Sequence, residues 1–219
     1  MEKTAQLYEG KAKKVYATND ENLVIVSYKD DATALDGLKK GTISGKGAIN
    51  NRMSNYLMQL LEKNGVPTHF VEELNDRETV VKKVQIVPLE VIIRNISAGS
   101  FAKRYGVEEG IVFEEPTIEF SYKNDDLHDP LINEYHALAL KLATREEIDA
   151  IKSMAFRINE VMKAYFLSLG VKLVDFKLEF GRTPDGTIVL ADEISPDTCR
   201  FWDIHTHEKL DKDRFRRDM

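Results

Sequence analysis

Among 219 residues there is one cysteine, Cys199, one tryptophan, Trp202, and only 6 prolines and 12 glycines. A single thiol cannot close an internal disulfide, which excludes a disulfide-stapled scaffold and suits a reducing compartment. The low glycine and proline content excludes collagen-like and low-complexity chains. No run approaches the ~18 apolar residues of a membrane span, and Met1-Glu-Lys-Thr-Ala-Gln6 has no apolar leader core. The expectation is a cytoplasmic protein with no membrane partner. Nor does one sign of charge dominate. The chain has 31 Lys+Arg against 37 Asp+Glu, a formal net charge of −6 with the signs interspersed. That argues against a nucleic-acid partner and leaves room for a local basic pocket. What remains, 42% hydrophobic and 31% charged residues, is the composition of a globular protein. Its length suits one large domain or two small lobes.

Texture changes along the chain. Leu23-Val-Ile-Val-Ser-Tyr28, Thr79-Val-Val-Lys-Lys-Val84 and Glu90-Val-Ile-Ile-Arg94 read as short strands. Between them, Ile49, Met53, Tyr56, Leu57, Leu60 and Leu61 follow a helical period that Gly65 and Pro67 close. Thr144 and Glu147 form a capping box ahead of a long apolar stripe, Ile148, Ile151, Met154, Ala155, Ile158, Met162, Tyr165 and Leu169, stopped by Gly170. Val171–Phe180 and Thr187–Ile194 then form a hairpin through Thr183-Pro-Asp-Gly186. The sequence predicts an N-terminal β-rich lobe over residues 1–86 and a C-terminal lobe over 87–219.

The hairpin carries the densest chemistry. In Val174-Asp-Phe-Lys-Leu-Glu-Phe180 strand alternation puts Asp175, Lys177 and Glu179 on one face, about 6.6–6.8 Å apart. A symmetric turn at Pro184-Asp185 places Asp192 opposite Lys177 and diagonal to Glu179, with Glu193 on the other face. Two acids and a lysine there suit Mg²⁺ and a phosphate oxygen, or else a solvated face of cross-strand ion pairs. In Leu7-Tyr-Glu-Gly-Lys-Ala-Lys-Lys-Val-Tyr16 one glycine precedes Lys11, Lys13 and Lys14, either a loop over phosphates or an exposed hairpin. Gly41-Thr-Ile-Ser-Gly-Lys-Gly47 is no Walker A loop, because its glycine frame and terminal Ser/Thr are missing. Arg94 runs into Ser97-Ala-Gly-Ser100, a grip for phosphate or carboxylate, or a loop with Ser100 as helix N-cap. Lys123-Asn-Asp-Asp-Leu-His-Asp-Pro130 is an exposed loop, or one that brings Lys123 to a nucleotide and Asp129 to a partner group. The histidines show no zinc spacing, and Cys199 lacks the signature of a nucleophile.

Taken together, four segments resemble the SAICAR synthetase family from about Leu7 to Arg216. They are Tyr8–Tyr16; Pro88–Asn95 with Ala98–Ser100; Lys123–Pro130; and Leu173–Gly181 with Asp192–Asp197 and Arg200–Asp203. The resemblance implies an α+β, two-lobed fold related to ATP-grasp enzymes and protein kinases, with ATP in the cleft between lobes. It implies a ligase that joins the carboxylate of CAIR (5-amino-1-(5-phosphoribosyl)imidazole-4-carboxylate) to the amine of L-aspartate in purine biosynthesis, with ATP becoming ADP and phosphate. Carried over by position, Lys11, Ala12, Lys13, Val15, Lys82, Ile86 and Lys123 would bind the nucleotide. Glu179 and Asp192 would ligate Mg²⁺. Arg94, Ser100 and Arg200 would hold the ribotide, Asp175 and Lys177 would flank the reacting centre, and Asp36 would belong to a further loop of the site. A homodimer is also implied. Family members usually continue into a further helix beyond Arg216, where this sequence stops at Met219. A kinase-like phosphotransferase on another small carboxylate or hydroxyl, and a catalytically idle nucleotide-binding regulator, are the competing readings.

Overall fold

A computed structural model describes residues 1–34 and 39–219. Asp36 therefore lies outside the described residues. In chain order the elements are β1 (Lys3–Glu9), β2 (Lys13–Thr18), β3 (Leu23–Tyr28), β4 (Asp31–Ala34), β5 (Lys39–Thr42), α1 (Lys46–Lys63), β6 (Phe70–Asn75), β7 (Glu78–Lys82) and β8 (Gln85–Ile96). There follow α2 (Gly99–Tyr105), β9 (Val112–Tyr122), β10 (Leu131–Ile132), α3 (Glu134–Ala139), α4 (Arg145–Ser168), β11 (Val171–Arg182), β12 (Ile188–Ala191), β13 (Cys199–Asp203) and α5 (Asp213–Arg216). The α+β composition expected from the sequence is present. No described helix is long and apolar enough to cross a membrane.

The chain divides into two compact units. The first takes Met1–Ile86, Phe180–Ser195 and Asp218; the second takes Val87–Glu179, Pro196–Arg217 and Met219. The first unit thus joins residues 180–195 to the N-terminal segment.

In the first unit the strands run β1-β2-β3-β7-β6, each pair antiparallel. Val24, Val26, Tyr28 and Val81 form a buried cluster on which Val15 packs. Helix α1 begins at Gly45 in the left-handed region (φ 79°). The carboxylate of Asp30 accepts the N–H of Gly45 (3.2 Å) and of Gly47 (2.9 Å), while Arg77 forks onto it at 2.7 and 3.0 Å. An anion at the first turn offsets orphaned donors and the helix dipole. The buried face of α1 corrects the expected apolar stripe. Ile49 and Tyr56 are exposed, whereas Asn50, Asn51, Ser54 and Asn55 are buried with Leu57, Met58 and Leu61. Thr79 explains this: its hydroxyl donates to Asn51 Oδ1 at 2.6 Å, and Asn55 Nδ2 donates to it at 2.7 Å. Burial of Asn51 and Asn55 is tolerated because their side chains are hydrogen-bonded, whereas Asn50 Nδ2 is buried without a hydrogen-bond partner.

In the second unit β10, β9, β8 and β11 lie side by side, and β13 pairs with β11. Helix α4 starts at the predicted box: Thr144 accepts the Glu147 N–H at 3.2 Å, and Glu147 accepts the Thr144 N–H at 2.8 Å. Ile148, Ile151, Ala155, Ile158 and Met162 are fully buried, while Leu169, the last residue of the predicted stripe, is exposed. Burying each large apolar chain contributes about 1.5–3 kcal/mol. Ile151→Ala would cost about 2–5 kcal/mol. Asn159 of α4 exchanges amide hydrogen bonds with Asn95 of β8 (2.8 and 3.0 Å), and Phe166 meets Phe201 of β13 at 4.5 Å. Those contacts hold the apolar face of the sheet. Its other face carries the charges.

Candidate active site

Strand alternation builds that polar face. On β8, Val87, Leu89, Val91 and Ile93 are buried, while Glu90, Ile92 and Arg94 take the opposite side. The ladder sets Glu90 opposite Ser121, Ile92 opposite Glu119 and Arg94 opposite Thr117 on β9. On β11 the alternating residues are Asp175, Lys177 and Glu179, and β13 places Arg200 opposite Asp175.

The predicted ribotide-binding arginines are brought together around Asp175. Arg94 Nη1 donates to Asp175 Oδ2 at 2.7 Å, and its Nη2 donates to Ser100 (3.1 Å) and Glu119 (3.0 Å). Arg94 is only 3% exposed, and its Nε is buried without a hydrogen-bond partner. Arg200 Nη1 donates to Asp175 Oδ1 at 3.0 Å and Oδ2 at 2.9 Å, and its Nε donates to Asp213 at 3.1 Å. Burial opposes the charge of Arg200, but Asp175 and Asp213 outweigh it and raise the guanidinium further above its usual range. Gly99 makes the approach of Arg200 possible. It holds φ 53°, and a Cβ there would come within 2.6 Å of the Arg200 Cζ. Ser100 is not the helix N-cap expected as one alternative. Ala98 occupies that position and Ser100 falls in the first turn, which frees its hydroxyl for Arg94.

Lys177 Nζ donates to Glu179 Oε1 at 2.5 Å and to Glu90 Oε1 at 3.2 Å. Lys123, just beyond β9, reaches the same Glu179 oxygen at 3.1 Å. The 123–130 loop closes on itself through Asp129, whose carboxylate accepts the Asn124 N–H at 2.7 Å. Asp129 is thus occupied by its own loop.

In the first unit Gly10, Lys11 and Ala12 turn β1 into β2, with the Gly10 N–H donating to the Lys13 carbonyl at 2.8 Å. The Ala12 carbonyl accepts the Lys29 N–H at 2.8 Å. Lys13 bonds Asp192 and lies 2.9 Å from Glu193. Burial disfavours its ammonium, yet Asp192 and Glu193 hold its pKa well above the ordinary value. Glu193 also accepts the Ser195 hydroxyl at 2.5 Å. Lys82 donates to the Thr68 carbonyl at 3.0 Å, and Ile86 is half-buried near the start of β8.

The strand-parity reading of Asp192 needs correction. The turn closes with the Thr183 N–H on the Thr187 carbonyl at 3.0 Å, a three-residue loop rather than a two-residue one. Strand β12 then ends at Ala191, not Ile194, and Asp192 adopts φ 56°. A left-handed residue re-aims the chain, so alternation does not carry past Ala191. Lys13 consequently touches both neighbouring carboxylates.

Several site residues escaped the sequence reading. Glu90 was legible from alternation, two strand steps from Arg94, whereas Glu119 depends on the β8–β9 register that sets it opposite Ile92. Asp213 gave no local signal, because only tertiary structure brings α5 to Arg200. Among the described residues no group of three or more His, Cys, Asp or Glu side chains forms a metal cage.

Comparison with known proteins shows the family of the chain. A family model described as SAICAR synthetase matches residues 6–219. A phosphoribosylaminoimidazole-succinocarboxamide synthase of Lachnoclostridium phytofermentans is 69% identical over 219 residues, covering all of this chain and 93% of the relative. The crystal structure of an Ehrlichia chaffeensis protein of the same name aligns with a TM-score of 0.96 at 47% identity, covering 98% of this chain and 92% of that one. A SAICAR synthetase solved in complex with ADP aligns with a TM-score of 0.94 at 50% identity, over 96% and 90% of the two chains. The chain belongs to the SAICAR synthetase family.

Proposed function

We propose that this protein joins the carboxylate of CAIR to the amine of L-aspartate, giving SAICAR, ADP and phosphate, as a step of purine biosynthesis. The observation that carries the reading is the charged sheet face of the second unit. There Arg94, Ser100 and Arg200 gather at one end, and Lys177, Glu179 and Lys123 at the other.

A carboxylate is a poor electrophile, so one of its oxygens must first become a phosphate leaving group. Phosphoryl transfer asks the protein for position and charge neutralisation more than for covalent help. We assign Arg200 and Ser100 to the ribotide's anionic groups. Arg94 presents Ser100 and, through Asp175, fixes Arg200. Lys177 lies beside the reacting centre. Lys11, Ala12, Lys13, Val15, Lys82, Ile86 and Lys123 are assigned to ATP, a role supported by the relative solved with ADP.

Magnesium belongs to this proposal. We assign the ion to Glu179 and Asp192, hard carboxylates each presently held by lysine. Mg²⁺ commonly takes one or two carboxylates plus substrate phosphates. When bound, the ion would neutralise phosphate charge. The kinship with ATP-grasp enzymes and kinases, a cytoplasmic location and a homodimeric state extend the same reading.

Release of ADP, measured while omitting one substrate at a time, tests the function. Turnover should need both CAIR and aspartate. Sustained turnover with aspartate omitted, yielding a stable phosphorylated product, would establish a phosphotransferase instead.

A further inference from the structure

Four carboxylates share the charged face of the second unit, and three of them each meet two cations. Asp175 is clasped by two arginines, and its side chain is 4% exposed. Glu119 spans Arg94 and Arg104 with both oxygens. Glu179 takes Lys177 and Lys123, both on Oε1, and its side chain is 5% exposed. Glu90 differs. Its side chain is 19% exposed, and it makes one ion pair, from Lys177 Nζ to Oε1 at 3.2 Å. Its Oε2 has no hydrogen-bond partner among the described residues. Glu90 also sits four residues from Arg94 on the same strand face, about 13 Å along β8. It thus stands away from the end assigned to the ribotide's anionic groups, beside the lysine assigned to the reacting centre.

We propose that Glu90 is the carboxylate that receives the attacking amino group of aspartate and takes up one of its protons. This inference rests on the ligase reading above. That reaction brings a cationic nitrogen to a site whose other acids are already neutralised by arginine or lysine. An ammonium entering there meets in Glu90 an anion with an open oxygen.

The step balances as follows. The amine nitrogen forms the C–N bond to the carbonyl carbon of the acyl phosphate. The C–O bond to the phosphoryl oxygen breaks, and the electron pair leaves on phosphate. Of the two protons that aspartate's ammonium loses, one goes to Glu90 and then to solvent. The other goes to the departing phosphate, which leaves as its hydrogen-phosphate dianion. The proton that goes to Glu90 leaves before attack, because an ammonium has no lone pair with which to form the C–N bond. The second leaves once the nitrogen is bonded to the carbonyl carbon and has become far more acidic, and the departing phosphate takes it.

Glu90→Gln keeps the shape and removes the charge. Its kcat/KM for aspartate should fall about 10²–10⁴-fold, the usual range for losing a general base. With hydroxylamine replacing aspartate, CAIR- and ATP-dependent hydroxamate formation should stay within about threefold of wild type, because hydroxylamine is uncharged at neutral pH. Nucleotide affinity, measured by titration with ADP, should not change, which also reports an intact fold. Equal losses with aspartate and hydroxylamine would overturn the proposal, since Glu90 would then serve phosphoryl transfer through Lys177. An aspartate rate within about threefold of wild type would overturn it too. Wild-type protein that forms no CAIR-dependent hydroxamate and no SAICAR would overturn the ligase reading itself, a separate result.

Discussion

Arg200 stands directly opposite Asp175 across the β11–β13 ladder, and its Nη1 reaches both carboxylate oxygens at 3.0 and 2.9 Å. Asp175 is 3% exposed and also bonds Arg94. Removing it leaves two guanidinium groups poorly compensated in a desolvated place. Asp175→Ala should therefore lower unfolding free energy by about 3–5 kcal/mol, the cost of breaking a buried pair. Urea denaturation measures this. A loss below about 1 kcal/mol would show that the pair is solvated in solution.

Much of this face was legible in the sequence. The alternation of Asp175, Lys177 and Glu179 within apolar neighbours pointed to one charged side, and the strand carries all three there. The capping box of α4 was visible because its two residues are local. What failed was non-local. The register past the turn depended on a backbone reversal at Asp192 that no side-chain pattern encodes. Similarly, the buried asparagines of α1 follow from Thr79, which is distant in sequence. Asp213 became visible only once α5 was placed beside Arg200.

Arg200→Ala should raise the KM for CAIR at least about 30-fold, equivalent to the low end of a truncated charge pair at about 2 kcal/mol. The KM for ATP should move less than threefold. Arg94→Ala should act in the same direction and also cost stability, because Arg94 is the more deeply buried. Steady-state kinetics with each substrate varied in turn would check this. Equal shifts for both substrates would remove these arginines from the ribotide site.

Asp192 and Glu193 should separate by function although Lys13 touches both. The Asp192 side chain is 20% exposed, whereas that of Glu193 is 4% exposed and bonded to Ser195. Asp192→Asn should raise the magnesium concentration for half-maximal turnover with little loss of stability. Glu193→Gln should lower stability by about 1–3 kcal/mol and leave the magnesium requirement alone. Titrations of activity against Mg²⁺ decide the matter, and the reverse pattern would make Glu193 the ligand.

His69 predicts a pH dependence. Burial is the main cause that lowers its pKa from 6.5 to about 4, with Lys13 and Lys82 adding to the effect and Asp192 opposing it. Between those values the unfolded chain binds a proton that the native protein refuses, so stability rises with pH there. It should be fully present above about pH 6.5 and fall by up to about 3 kcal/mol as the pH drops toward 4. Denaturant unfolding across that range should show the slope in wild type and a shallower one in His69→Asn. Parallel curves for the two would assign the slope to other groups.

Cys199 is buried at the start of β13, beside the arginine that holds Asp175. Its burial sets it apart from the partly exposed thiolates that act as nucleophiles. Cys199→Ser should keep turnover within about threefold of wild type, measured by ADP release. Complete loss of activity with unchanged far-ultraviolet circular dichroism would contradict this.

The most direct test of the central claim follows one oxygen atom. CAIR labelled with ¹⁸O in its carboxylate should be turned over with ATP and aspartate, and the released phosphate analysed by mass. Activation of the carboxylate by ATP predicts one ¹⁸O atom in each phosphate released, matched by one SAICAR formed. Phosphate released without label, while SAICAR accumulates, would contradict it.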